Sequence, residues 1–364
     1  MTVRVNKQPF NLREKLSELE RPIGLKGSEL MKSETAQEAR DLVSAGRKNY
    51  IINGDFKVWQ RGTSGGVGTG NRTYKSADRW FNFNGGDTTS QLDLTSENLG
   101  GVTGRFRYGM RVSGGQNSRI LGQCIEGPLP AGDYIFSAWV RFSEIPVNFY
   151  MTHNSSALIG ENNFSGWYGG SGTNVSYTKP DNVSEVAQTG VWYHVYKKFT
   201  AVSPYLGLGI AFQPIFAAST SATMDIAGVQ VERVENSTKP TDFEYRSYGE
   251  ELALCQRYFF MLGDTNNTSL PHASYYNNTL VAMSVQFPVT MRANPSIYIV
   301  DGTGYFGIYA NNTFDYFNTF VIARPQPNCA TLDCNGNGAS GTAGHSGPGR
   351  IANSAARLGF NAEL

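Results

Sequence analysis

Four histidines, at 153, 194, 272 and 345, and four cysteines, at 124, 255, 329 and 334, are the residues best suited to metal or nucleophilic chemistry. None is spaced as a metal pair with another His or Cys, and no Cys-x-x-Cys occurs. Cys329 and Cys334 are near enough in sequence to close a small loop. The N-terminus, MTVRVNKQPFNLREK, shows no apolar signal-peptide core, and that counts against an oxidised pair. His194 sits beside Trp192 and Tyr193 in a strand-like run and reads as a packed or surface histidine. No P-loop or protease signature is present. The glycines at 65, 66, 68 and 70 lack the following Lys-Ser/Thr and read as a flexible loop. Carboxylates are plentiful enough for a glycosidase pair, but sequence spacing sets no distance between them. The expectation is a protein that is not an enzyme, with no cofactor and no metal.

Aromatic side chains are the other candidates. Trp59, Trp80, Trp139 and Trp192 lie in strand-like contexts and are expected to pack in a core. Trp167 and Tyr168 sit in the turn-rich run Ser165-Gly-Trp-Tyr-Gly-Gly-Ser-Gly, where an exposed ring could stack on a sugar face or tuck onto a sheet edge. Tyr305, Tyr309 and Tyr316 lie in a polar stretch between Tyr275 and Asn318, and could contact a receptor or fill a subunit interface.

The elements that position these residues follow from composition and period. The 364 residues are 12 % aromatic and only 17 % charged, with 41 Gly and 29 Asn. That balance favours short strands and tight turns. A formal net charge of +1 gives no overall field to attract nucleic acid or an acidic membrane, and no run of 18 apolar residues occurs. Residues 1–49 differ, with ten Lys/Arg and seven Asp/Glu. They carry two helix-capping signals, and Leu12, Leu16 and Leu19 share one helical stripe. Two helices this short cannot bury a core of their own, so the leucines either fold back on the chain or dock to another protein.

From Tyr50 the period becomes two. Tyr134, Phe136, Ala138, Val140 and Phe142 share one face of a strand, with Ser137, Trp139, Arg141 and Ser143 on the other. Phe106, Tyr108, Met110 and Val112 behave alike. Repeated alternating strands over residues 50–246 predict a jelly-roll-like β-sandwich. A helical connector spans 247–257, and a second, distal β domain spans 258–364, with Pro288 and Pro295 outside its inner strands. Residues 335–349, with six glycines, should form a long loop. The fold class is therefore mainly β, with an N-terminal short-helix arm.

Several segments together resemble bacteriophage tail-fibre and related virion appendage proteins of the marine phage type. They are Asn49-Tyr-Ile-Ile-Asn-Gly-Asp-Phe-Lys-Val-Trp-Gln-Arg-Gly62, Ser76-Ala-Asp-Arg-Trp80, Phe136-Ser-Ala-Trp-Val-Arg141 and Asp225-Ile-Ala-Gly-Val-Gln-Val-Glu232. Phe243 to Tyr258, Phe287 to Pro295, the closing Gly359-Phe-Asn-Ala-Glu-Leu364 and the arm segments Arg21–Gly27 and Thr35–Arg40 continue the likeness. The resemblance implies a structural virion protein, assembled in a bacterial host cytoplasm, with a carbohydrate-binding-module-like sandwich. Its arm would dock to other virion proteins, its partner of first rank would be itself in a homotrimer, and its target a host cell-surface glycan. Related sandwiches hold a structural calcium through an acidic residue just after the Asn-Gly-Asp-Phe segment. That position here is Lys57, so no metal residue carries over. A capsid decoration, another appendage, or a stand-alone carbohydrate-binding or polysaccharide-degrading protein are the alternatives.

Overall fold

The computed structural model describes residues 48–65, 72–83, 86–114, 118–154, 164, 178–183, 186–202, 205–217 and 221–364. The chain divides into two units, Met1–Tyr50 and Ile51–Leu364, and the description below concerns the second. Leu12, Leu16, Leu19, Trp167 and Tyr168 lie outside the described residues.

Two antiparallel sheets make the sandwich. The first runs in the order β1 (Ser64–Gly65), β3 (Asp87–Asp93), β6 (Tyr108–Gly114), β12 (Thr223–Val234), β8 (Gly132–Phe142) and β10 (Tyr193–Ala201). The second runs β2 (Phe81–Asn82), β7 (Leu121–Leu129), β11 (Tyr205–Ile215) and β9 (Asn148–His153). A small hairpin, β4 (Asn98–Leu99) with β5 (Val102–Thr103), stands apart. The alternation in β8 works as read: Tyr134, Phe136, Ala138, Val140 and Phe142 are buried, while Trp139 and Arg141 are only half-buried on the opposite face. Ring contacts join the sheets across the core, Phe136 to Phe212 at 4.7 Å and Phe142 to Phe149 at 5.2 Å.

Helix α1 (Tyr248–Gln256) follows, capped by the Ser247 side chain, which accepts from the Glu250 N–H. A three-stranded sheet of β13 (Phe259–Gly263), β22 (Arg357–Asn361) and β16 (Ser296–Val300) then packs near a seven-stranded one. The latter runs β18 (Thr313–Phe317), β17 (Phe306–Ala310), β21 (Ser346–Ile351), β14 (Ser269–Asn277), β15 (Leu280–Gln286), β20 (Cys329–Asn335) and β19 (Val321–Pro325). Phe306, Ile308, Leu332, Leu358 and Phe360 belong to their shared core. Pro288 and Pro295 both fall between strands, as read.

One expectation is corrected here, and the reading against an oxidised cysteine pair holds. The glycine-rich loop ends at His345, and Ser346-Gly-Pro-Gly-Arg-Ile351 is an inner strand, β21. A Cβ on Gly347 would lie 1.8 Å from the Tyr309 carbonyl oxygen, so glycine is required there by close backbone approach, not by a turn. Cys329 and Cys334 are free and both lie on β20. Five positions apart on an extended strand, they point to opposite faces and cannot meet.

A buried junction ties the sandwich to the last sheets. Arg79 pairs with Glu363, while Arg61 reaches Glu363 at 3.4 Å and Asp78 at 3.5 Å. The Gln60 Nε2 donates to the Phe259 carbonyl (2.8 Å), and the Tyr258 hydroxyl donates to Glu126 (2.8 Å). Burial, offset in part by Arg61, pushes Asp78 up to about 6. The Asn53-Gly-Asp-Phe56 segment is part of the same framework. Asn53 and Phe56 hold left-handed φ values of 59° and 54°, and the Asn53 N–H donates to Glu251 of α1. Lys57 bonds the Asp55 carboxylate and the Arg246 carbonyl, each at 2.7 Å.

Candidate functional site

The outward face of the first sheet carries the candidate site. Pairing of β8 with β10 sets His194 opposite Trp139 and Tyr196 opposite Ser137. On the other side of β8, β12 sets Ala227 opposite Trp139 and Gln230 opposite Ser137, with a bulge between them. Gly228 makes that bulge possible with φ of 58°, and a Cβ there would strike the Phe106 ring at 2.2 Å. The strand bends at the bulge, and a cleft of about 300 Å³ opens beside it. Ser137, Trp139, His194 and Gln230 come from the sheet, Gly100 and Arg105 form one wall, and Pro240, Thr241, Asp242 and Phe243 form the other.

Each wall is anchored by residues just outside the cleft. Glu97, one residue before β4, accepts two bonds from Arg141 at 3.0 Å and one from the Trp192 indole N–H at 3.3 Å. Arg141 also bonds Asp225, which Arg111 engages through two nitrogens at 2.7 and 2.9 Å. This network pins the β4–β5 hairpin over the sheet, and Gly100 thereby abuts Trp139. A Cβ on Gly100 would lie 2.3 Å from the indole edge. On the opposite wall, the Thr241 N–H and hydroxyl donate to Glu232 at 2.7 and 2.6 Å, and the Glu244 N–H donates to Gln230 at 2.9 Å. The Tyr245 hydroxyl donates to the Arg105 carbonyl (2.6 Å), joining the two walls.

Within this frame the Trp139 ring is flanked by two flat polar groups. The His194 imidazole stacks on it at 4.7 Å with planes 20° apart, and the Arg105 guanidinium lies 5.4 Å from it. Burial, with Arg105 adding to it, lowers the His194 pKa, so near neutrality the imidazole offers one donor and one acceptor. A concave site of this volume, with apolar ring edges and a few fixed polar groups, suits a small polyhydroxylated ligand. Asp242 is the single carboxylate among the described lining residues. No group of three His, Cys, Asp or Glu side chains among the described residues could hold a metal ion.

Tyr309 and Tyr316 lie elsewhere, 38 % and 47 % exposed on β17 and β18. Phe314 brings them together, 4.9 Å from Tyr309 and 5.8 Å from Tyr316, with Arg350 stacked over it at 3.6 Å. Tyr305 does not join them: it is half-buried against the shared core of the last two sheets. Of the four tryptophans expected in a core, Trp80 alone is fully buried. Trp59 is half-buried outside any strand, and Trp139 and Trp192 are half-buried on the outward face, packed against the small buried cluster of Leu94, Leu99, Phe106 and Ala227. An indole on the polar face of an alternating strand was the sequence signal for the cleft. Arg105 and Asp242 carry no such signal, because only the tertiary fold brings them to it.

No family model matches the chain, and no curated protein matches it. Among solved structures it is similar to a putative sugar binding protein from Bacteroides thetaiotaomicron VPI-5482, at 14% identity and TM-score 0.32, over 51% of this chain and 100% of that one. It is also similar to a family 61 carbohydrate-binding module in complex with β-1,4-galactotriose, at 14% identity and TM-score 0.30, over 52% of this chain and 100% of that one. A third is the enzymatically active domain of tailspike protein 4 of bacteriophage CBA120, at 11% identity and TM-score 0.29, over 51% of this chain and 21% of that one.

Proposed function

We infer that this chain is a non-catalytic glycan-binding protein that serves a virion as a tail fibre or related appendage. The observation that carries the binding role is the cleft on the first sheet, with Trp139 stacked on His194 and flanked by Arg105. Rigid walls and half-buried polar groups fit a ligand that presents hydroxyls on one edge and C–H faces on another. Binding is favoured over hydrolysis because acid–base cleavage of a glycosidic bond needs two carboxylates, and the described lining supplies Asp242 alone. The virion role rests on the order of resembling segments along the sequence, with residues 1–49 as the docking arm and a homotrimer as the assembled form.

Incubation with bacterial surface polysaccharide separates the two roles. Retention on the polymer without new reducing ends supports a binder, whereas rising reducing ends would make the protein a depolymerase. Sedimentation of the full chain at micromolar concentration should give a trimer mass, and a stable monomer would contradict the fibre reading. A chain beginning at Asn49 should fold and bind glycan yet fail to enter particles; normal incorporation would remove the arm as anchor.

A further inference from the structure

Arg105 is the one cation among the described residues lining the cleft, and the fold uses only part of its hydrogen-bonding capacity. Its Nε donates to the Leu99 carbonyl (3.1 Å), and its Cζ lies 5.4 Å from the Trp139 ring centroid. Neither terminal nitrogen has a hydrogen-bond or ion-pair partner among the described residues. The neighbouring arginines are different: Arg141 is engaged by Glu97 and Asp225, and Arg111 by Asp225. Asp242 lines the facing wall.

A guanidinium held by one nitrogen and a ring, with its outer fork open to a cleft, is arranged for a planar anion. A neutral ligand covering the same fork would leave charged donors desolvated and unmatched, which costs affinity. We propose that the cleft selects an acidic sugar, with a uronic-acid carboxylate on the outer nitrogens of Arg105 and a ring hydroxyl donating to Asp242. This rests on the glycan-binding reading above and adds the class of glycan. The cleft lies at the lower end of ligand-pocket volumes, about 300–1,000 Å³, so it accommodates a terminal or single internal sugar and not a long chain segment.

The test is calorimetric titration of the full chain with galacturonate, glucuronate and mannuronate oligosaccharides, each beside its carboxyl-reduced neutral counterpart. At least one acidic oligosaccharide should bind about tenfold to hundredfold more tightly than its counterpart, the range of a charge-assisted hydrogen bond. Arg105→Gln should erase that preference. Arg105→Lys, which keeps the charge and a donor towards Leu99 but loses the fork, should retain only part of it. Equal binding of acid and neutral forms, binding of neutral forms alone, or a preference that survives Arg105→Gln overturns the proposal while leaving the glycan-binding reading in place. If no acidic or neutral glycan binds, both fall.

Discussion

His153 shows how much a single side chain can tie stability to acidity. It is buried at the end of β9, stacked on Phe199 at 4.5 Å, and its Nδ1 has no hydrogen-bond partner. Burial, with Lys197 adding to it, lowers its pKa to about 4. The folded protein therefore keeps the ring neutral where the unfolded chain, titrating near 6.5, takes up a proton. Its contribution is unchanged above about pH 6.5, falls as the pH drops towards 4, and amounts to about 3 kcal/mol lost in full below that. Replacing His153 by Phe keeps the ring stack and removes the titration. Denaturant unfolding should show the variant gaining on the parent progressively between pH 6.5 and 4; parallel stability curves across that window would contradict the assignment. Trp139 makes the complementary point at the cleft, since the His194 stack and the abutting Gly100 hold its ring in place.

At the scale of elements, β21 is the least expected and the most constrained. Gly347 lies in an inner strand between β17 and β14, with the Tyr309 carbonyl where a Cβ would project. Gly347→Ala should cost about 3 kcal/mol, because the β17 backbone at Tyr309 and Ala310 must shift. A thermal melt of that variant within a degree or two of the parent would show that the strand can move aside. The same strand marks the boundary of what sequence conveys. Alternation in β8 separated buried Phe136 from outward Trp139 because a period of two is a local property. Ser346-Gly-Pro-Gly349 has the composition of a loop, and only the tightness of its neighbours makes it a strand. The cleft divides in the same way. Trp139 was placed on the polar face of its strand yet expected in a core, and the facing residues Arg105, His194 and Asp242 come from β-sheet pairings and walls that no short window contains. The Asn53-Gly-Asp-Phe56 segment, recognisable in sequence, proves to be framework, tied to α1 through Glu251 and clear of the cleft lining.

For the molecule as a whole, the junction between the sandwich and the last two sheets decides cooperativity. Arg61 and Arg79 are both nearly inaccessible and both rely on Glu363, three residues beyond the three-stranded sheet's Phe360. Removing one partner of a buried pair leaves the other charge uncompensated, at about 3–5 kcal/mol. Glu363→Gln should therefore lower the unfolding free energy, read from denaturant unfolding, by an amount of that order. In the parent protein, probes in β8 and in β15 should report one shared transition, since the buried contacts couple them. Two separate transitions in the parent would mean that the sandwich and the last sheets fold independently despite the junction.

The central claim is that the cleft between Gly100, Trp139 and Asp242 binds glycan, and the most direct measurement is a glycan array read with the parent chain and with His194→Ala. That substitution removes the stacked imidazole from the cleft but leaves the Glu97–Arg141–Asp225 network and the sandwich core intact. The account predicts a defined set of bound glycans whose signal falls at least about tenfold in the variant, the scale of one lost hydrogen-bonding and stacking contact, at an unchanged melting temperature. Glycans bound equally by parent and variant would contradict it, and would move the binding surface elsewhere on the molecule.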